Sequence, residues 1–134
     1  MIRLTSVTHD YGGRGLLNGV DFHIAPGAFH FLTGPSGSGK STLLKLCYGD
    51  LRPKSGRIEL FGQDCARLSR DALADTRRRI GMIHQDCQFL DHLTLAENVA
   101  LPFLATGRPV PENDLRELLS WVGLERQADA LPPT

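Results

Sequence analysis

The sequence predicts an α/β domain. Three observations predict it. Short apolar segments alternate with polar residues through the first half of the chain. A glycine-rich string, Gly34 to Ser41, sits between an apolar run and a helical pattern. An apolar stripe of helical period then marks the last third. The length of 134 residues allows one compact domain, which can bury roughly two-thirds of the surface its unfolded form exposes.

The elements follow in order. Ile2, Leu4 and Val7 mark an opening strand, and Val20, Phe22 and Ile24 alternate with Asp21 and His23 as a half-exposed strand. Ala25-Pro26-Gly27-Ala28 reads as a turn, and Phe29-His30-Phe31-Leu32 as a short apolar strand running into Thr33-Gly34. From Lys40, with Leu43, Leu44, Leu46 and Cys47, a two- to three-turn helix is expected to stop at Gly49. Pro53 to Gly56 form a turn, Arg57 to Leu60 a strand ended by Gly62, and Asp71 to Arg79 a helix with a basic C-terminal end. Ile80-Gly81-Met82-Ile83 reads as a buried strand leading to His84 and Gln85. Thr94 and Glu97 have capping-box spacing, so a helix is expected from Thr94 to just before Pro102. Leu115, Leu118, Leu119 and Val122 define a last helix closed by Gly123.

Composition excludes several classes. Hydrophobic residues at 41% and charged residues at 22% are ordinary for a globular domain and argue against disorder. Fifteen basic residues balance fifteen acidic ones, so no net charge draws the chain to nucleic acid or anionic lipid. No apolar run approaches a membrane span, and the first ten residues carry no signal-peptide pattern. Cys47, Cys65 and Cys87 are odd in number and lack CxxC pairing; free thiols in a reducing cytosol are expected.

Gly34-Pro35-Ser36-Gly37-Ser38-Gly39-Lys40-Ser41 satisfies GxxxxGK[ST] at every specified position. A triphosphate carries dense negative charge, and consecutive main-chain N–H groups face it only if the loop curls tightly. Gly34, Gly37 and Gly39 permit that curl, and the helix N-terminus that follows adds its free N–H groups and dipole. Lys40 supplies a full charge to the β- and γ-phosphates, and the Ser41 hydroxyl suits Mg²⁺. A flexible glycine-serine linker has no need of lysine followed by serine there, so phosphate binding is the stronger reading.

The residues around the loop narrow the class. Val7-Thr8-His9-Asp10-Tyr11, Gly34 to Thr42, Ile80 to Asp86 and Leu93-Thr94-Leu95-Ala96-Glu97-Asn98-Val99 together resemble the first half of an ABC transporter ATPase subunit. Phe31 to Gly34, Ser41 to Leu46 and Arg78 to Ile83 resemble the bacterial cell-division branch of that family most, with the lipoprotein-release and macrolide-export branches similar. The resemblance implies a P-loop NTPase fold of the ABC ATPase type, present as its Walker A half. Residues 1–86 would be the β-subdomain and P-loop core, and 87–134 the start of the helical subdomain. It also implies ATP and Mg²⁺ as ligands. Tyr11 would stack on adenine, and Thr42 would reach the α-phosphate. Gln85 would touch Mg²⁺ and the attacking water, linking the site to an integral membrane partner through the Asp86–Val99 region. A homodimer on the inner face of the membrane is implied for the full-length form, with no nucleic-acid partner.

Some residues depart from the family pattern. His84 stands where an aromatic residue is usual, and His30 interrupts an apolar strand, where a hydrogen-bonded core or edge histidine is expected. Arg77-Arg78-Arg79 reads as a solvated cationic helix cap. After Thr134 the family would place its signature sequence and an apolar strand ending in acidic residues. Within these residues no carboxylate lies at the end of an apolar strand, so no general base is named, and an incomplete domain without turnover of its own is expected. Two other readings stay open: a non-hydrolysing nucleotide-binding fragment, and a small-molecule kinase. The segments around Tyr11 and Gln85 oppose the kinase.

Overall fold

Leu4, Val7 and His9 are the buried positions of β1 (Ile2–Asp10), spaced three and then two residues apart. A regular strand alternates by two, so one residue must be extra, and it is Ser6, whose φ is +49°. Its N–H donates to the Asp21 carboxylate at 2.8 Å, and the pairing register shifts between Leu4 and Val7. This bulge turns Val7 and His9 back to the core face.

The computed structural model describes residues 1–13, 15–85 and 88–132. It divides into two compact units, Met1–Met82 and Ile83–Thr134. In the first, β1 lies between β2 (Gly15–Ile24) and β3 (Ser55–Leu60), both antiparallel to it, and β4 (Gln63–Asp64) extends the sheet to the order β2-β1-β3-β4. Phe61 and Gly62, both at positive φ, make the two-residue turn between β3 and β4 that the right-handed twist favours. Helix α1 (Lys40–Cys47) packs Leu43, Leu46 and Cys47 onto Leu4, Val7, Leu17, Ile58 and Leu60 to form the core. Each such fully buried aliphatic side chain contributes roughly 1.5–3 kcal/mol. Gly49 follows α1 at φ +73°, as the stop signal requires.

Helix α2 (Arg70–Arg77) is capped by the Ser69 hydroxyl, which accepts from Ala72 N at 3.2 Å. The three arginines at its end are not simply solvated. Arg77 donates through both Nε and Nη2 to the Gly49 carbonyl, Arg78 pairs with Asp75, and the Arg79 guanidinium lies 3.9 Å above the Phe61 ring.

Two expected strands are not strands. Phe29–Leu32 and Ile80–Ile83 pair with no strand among the described residues, and Phe31 and Ile83 are 84% and 95% exposed. An apolar run becomes a strand only where a neighbouring ladder takes its N–H and C=O groups, and the sheet of this unit ends at β2 and β4. His30 is consequently exposed, where a core or edge position was expected; it stands edge-to-face against Phe22 at 5.4 Å and has no hydrogen bond among the described residues.

In the second unit, α3 (Leu95–Ala105) begins at Thr94 with both capping-box bonds present. It runs past Pro102, where a stop was expected: proline's fixed φ is compatible with a helix, and the helix continues despite the lost N–H bond and the crowding of the preceding turn. Helix α4 (Glu112–Trp121) buries Leu119 but leaves Leu118 and Val122 exposed, so only part of the predicted stripe is covered. A short 3₁₀ turn (Glu125–Gln127) follows. No helix among the described residues is long and apolar enough to cross a membrane. The expectations for Asp86 and Cys87, including the boundary at 86/87 and the third free thiol, lie outside the described residues, as does the terminus at Pro133 and Thr134.

Candidate nucleotide-binding site

Gly34, Gly37 and Gly39 adopt φ values of +151°, +79° and +92°, so each glycine of the motif occupies backbone space that a Cβ disfavours. At Gly39 a second restriction applies: a Cβ would stand 3.1 Å from Leu17 Cδ2 and 3.3 Å from Leu16 Cγ. Strand β2 thus presses on the loop where it enters α1. Pro35 and Ser36 lead into the tight bend at Gly37, which Ser38 N closes onto Pro35 O at 3.3 Å. Lys40 reaches back across the loop, its Nζ 2.8 Å from the Gly34 carbonyl oxygen and 2.7 Å from that of Pro35. A shallow depression of about 310 Å³ over Gly34, Pro35, Ser38 and Lys40 lies beside Leu17 and Val20. Larger hollows of about 650 and 540 Å³ lie along α4 and carry none of the loop residues.

The helix N-termini differ sharply. At α3, Leu95 N and Ala96 N donate to the carbonyls of Ala130 and Ala128, and Glu97 N to the Thr94 hydroxyl. At α1 the N-cap is Gly39, which offers no side-chain acceptor, and the N–H groups of Lys40, Ser41 and Thr42 find no acceptor among the described residues. A helix end left uncapped with its dipole unopposed is suited to an anion. Ser41 is exposed, whereas Thr42 is 5% exposed and packs inward.

Tyr11 stands just beyond β1 in the same unit and is 59% exposed. Gln85 is exposed in the second unit. Asp10 does end β1, but its carboxylate accepts from Lys54 Nζ at 2.6 Å and Gly13 N at 3.2 Å. The Lys54 ammonium, then the Gly13 amide, hold that carboxyl below its usual value, and both bonds engage it in the turn after β1. Among the described residues no three His, Cys, Asp or Glu side chains converge as a metal cluster. The hydroxyl of Ser41 and the amide oxygen of Gln85 are hard oxygen donors of the kind Mg²⁺ accepts alongside phosphate and water.

The ABC transporter family model matches residues 17–133, nearly the whole chain. The chain belongs to the ABC transporter family. Relatives within that family include the cell division ATP-binding protein FtsE of Escherichia coli, 46% identical over 98% of this chain and 61% of its own length. FtsE of Haemophilus influenzae is 41% identical over 99% of this chain and 63% of its own length. The methionine import ATP-binding protein MetN of Brucella abortus is 37% identical over 98% of this chain and 36% of its own. The chain therefore spans less than two-thirds of these relatives. Among solved structures, the dimeric ATP-binding cassette MJ0796 in a post-hydrolysis state with ADP and Pi superposes with a TM-score of 0.82 at 31% identity, covering 98% of this chain and 62% of that one. The ABC ATPase cassette fold follows for this chain, with the antiparallel sheet and P-loop of its first part.

Sequence reasoning missed the contacts that shape the loop from outside. Leu16 and Leu17, which crowd the space a Cβ at Gly39 would take, carry no motif. His9 carries one signal, its place two residues before Tyr11 on the face that Ser6 restores.

Proposed function

We propose that this chain is the ATP-binding part of an FtsE-like subunit that couples ATP binding and hydrolysis to an integral membrane partner, FtsX-like, in bacterial cell division. The observation that carries the reading is the uncapped start of α1 beneath three positive-φ glycines and a folded-back Lys40. The identity to the FtsE relatives supports the branch.

Each residue then has a task. The loop from Gly34 to Gly39 curls around the β-phosphate with the N–H groups of Gly34, Ser36, Gly37, Ser38 and Gly39, Pro35 having none to give, and Lys40 exchanges its two carbonyl acceptors for β- and γ-phosphate oxygens. Charge-assisted bonds of that kind contribute roughly 1.5–3 kcal/mol each. Ser41 and Gln85 would hold Mg²⁺, which neutralises charge on the transferring phosphate. Thr42 serves the α-phosphate, its main-chain N–H being the group its buried position leaves best placed. Tyr11 stacks on adenine. Residues 1–86 act as β-subdomain and P-loop core and 87–134 as the start of the helical subdomain that meets the membrane partner. The full-length protein works as a homodimer at the cytoplasmic face of the membrane.

Replacing Lys40 by alanine in the full-length protein tests the reading: ATP binding and phosphate release are expected to be lost. Unchanged binding would overturn it. A second reading, nucleotide binding without turnover by these 134 residues, is favoured by the engagement of Asp10 with Lys54 and Gly13. Phosphate release above background from this chain alone would refute it.

A further inference from the structure

Two residues before Tyr11, His9 is buried at 8% exposure in β1, yet its Nε2 meets no hydrogen-bond partner among the described residues. Its Nδ1 lies 3.2 Å from the Arg52 carbonyl oxygen, so the proton belongs on Nδ1 and donates there. That bond fixes the imidazole plane. A buried nitrogen left bare lowers stability, and an apolar ring would fill the same space without that penalty.

The ring contact explains the position. The His9 and Tyr11 rings meet edge to face, with centroids 5.1 Å apart and planes at 82°. Between them, Asp10 ties the turn down by accepting from Gly13 N and Lys54 Nζ. Lys54 N in turn donates to Thr8 O at 2.9 Å, so the 52–54 segment clamps the end of β1 on both sides. Tyr11 would otherwise be an exposed side chain leading into Gly12 and Gly13, both at positive φ. An unsupported ring there loses rotamer freedom when a base stacks on it; a propped ring has lost that freedom already.

We propose that His9 is a positioning residue for base recognition, its buried imidazole propping one side of the Tyr11 ring so that the other side meets the purine of the bound nucleotide. The inference rests on the reading of Tyr11 as the base-stacking residue. The hydrogen bond and the ring contact of His9 run to Arg52 and Tyr11 and not to the Gly34–Thr42 loop, so its effect is expected at the base.

The test compares two ligands on the full-length protein: ATP, which has a base, and inorganic tripolyphosphate, which has none. His9→Ala is expected to weaken ATP about two- to tenfold, the range of an aromatic edge-to-face pair, and to leave tripolyphosphate unchanged. His9→Phe, which keeps a ring in the space, is expected to restore most of the ATP affinity. Tyr11→Ala should weaken ATP as well, and the double variant should lose little more than Tyr11→Ala alone. Should His9→Ala not fold, His9→Leu fills the volume without a ring and carries the same expectation. A loss from Tyr11→Ala with none from the His9 variants overturns the proposal and spares the stacking reading. No loss from either residue overturns both. Equal weakening of ATP and tripolyphosphate by His9→Ala, or no restoration by His9→Phe, also overturns the proposal.

Discussion

The ammonium of Lys40 is bound to the main-chain oxygen of Gly34, 2.8 Å away, so the one cation of the phosphate loop holds its first glycine. The loop is therefore kept curled by the same group proposed to meet the phosphates. Exchange of a carbonyl oxygen for a phosphate oxygen keeps the donor's geometry and raises the charge of its acceptor.

Lys40→Met keeps the aliphatic stem and removes the ammonium. Amide hydrogen exchange at Ser38, whose N–H donates to Pro35 O, is expected to quicken several-fold, while exchange in β1 and β3 stays as it was. Unaltered exchange in the loop would show that Lys40 does not hold it.

Gly56 and Gly62 both have positive φ, +88° and +82°, but their surroundings differ. A Cβ at Gly56 would overlap the Ser6 and Thr5 carbonyls beside the bulge, whereas Gly62 has nothing within 4 Å. Gly62→Ala is expected to cost about 1–2 kcal/mol from backbone strain alone. Gly56→Ala should cost about 3 kcal/mol or more, since strain and steric overlap add. Urea denaturation of the two variants side by side checks the order.

Burial pushes the Cys47 thiol up to about 11 from its ordinary 9.0. The folded state therefore holds its proton through a pH range in which the unfolded chain has released it. Stability from this group is complete below pH 9 and falls as the pH rises from 9.0 to about 11. Native alkylation of Cys47 is expected to be slow at pH 8 and to follow global unfolding. A Cys47→Ala variant should lose the alkaline fall specific to this thiol, which denaturation midpoints at pH 8 and pH 10.5 measure.

Thr94 and Glu97 cap α3 reciprocally, with Glu97 N on the Thr94 hydroxyl and Thr94 N on the Glu97 carboxylate at 2.7 Å. Thr94→Ala is expected to cost about 1 kcal/mol. The Thr94 amide, with its hydroxyl, holds the Glu97 carboxyl below its usual 4.5. This contribution is present above pH 4.5 and fades as the pH drops through the lowered value. Helical circular dichroism of wild type and Glu97→Gln, which keeps a neutral acceptor in place of the carboxylate, should converge at the acid end of pH 3–6.

The phosphate loop, α1, the capping box at Thr94 and the strands around Leu4, Val20 and Ile58 were legible because their signals are local. A glycine that must take positive φ, a hydroxyl three residues before a carboxylate, and an alternating run each declare themselves within a few residues. Ser6 was not legible as a bulge, although the spacing of Leu4, Val7 and His9 contains it, because only pairing against Asp21 and β3 reveals which residue is extra.

By itself the sequence determined the glycine-rich P-loop, the helix behind it and membership of the ABC transporter family, since these depend on residue type at fixed spacing. Only the tertiary structure decided that Phe29–Leu32 and Ile80–Ile83 stay outside any sheet, that Arg77 to Arg79 are each engaged, and that His9 stands against Tyr11. The reason is that a strand, the Arg77 bond to Gly49 and the Arg79 contact with Phe61 each need a partner far along the chain, while the near neighbours Arg78–Asp75 and His9–Tyr11 meet only in side-chain rotamers that no residue spacing states.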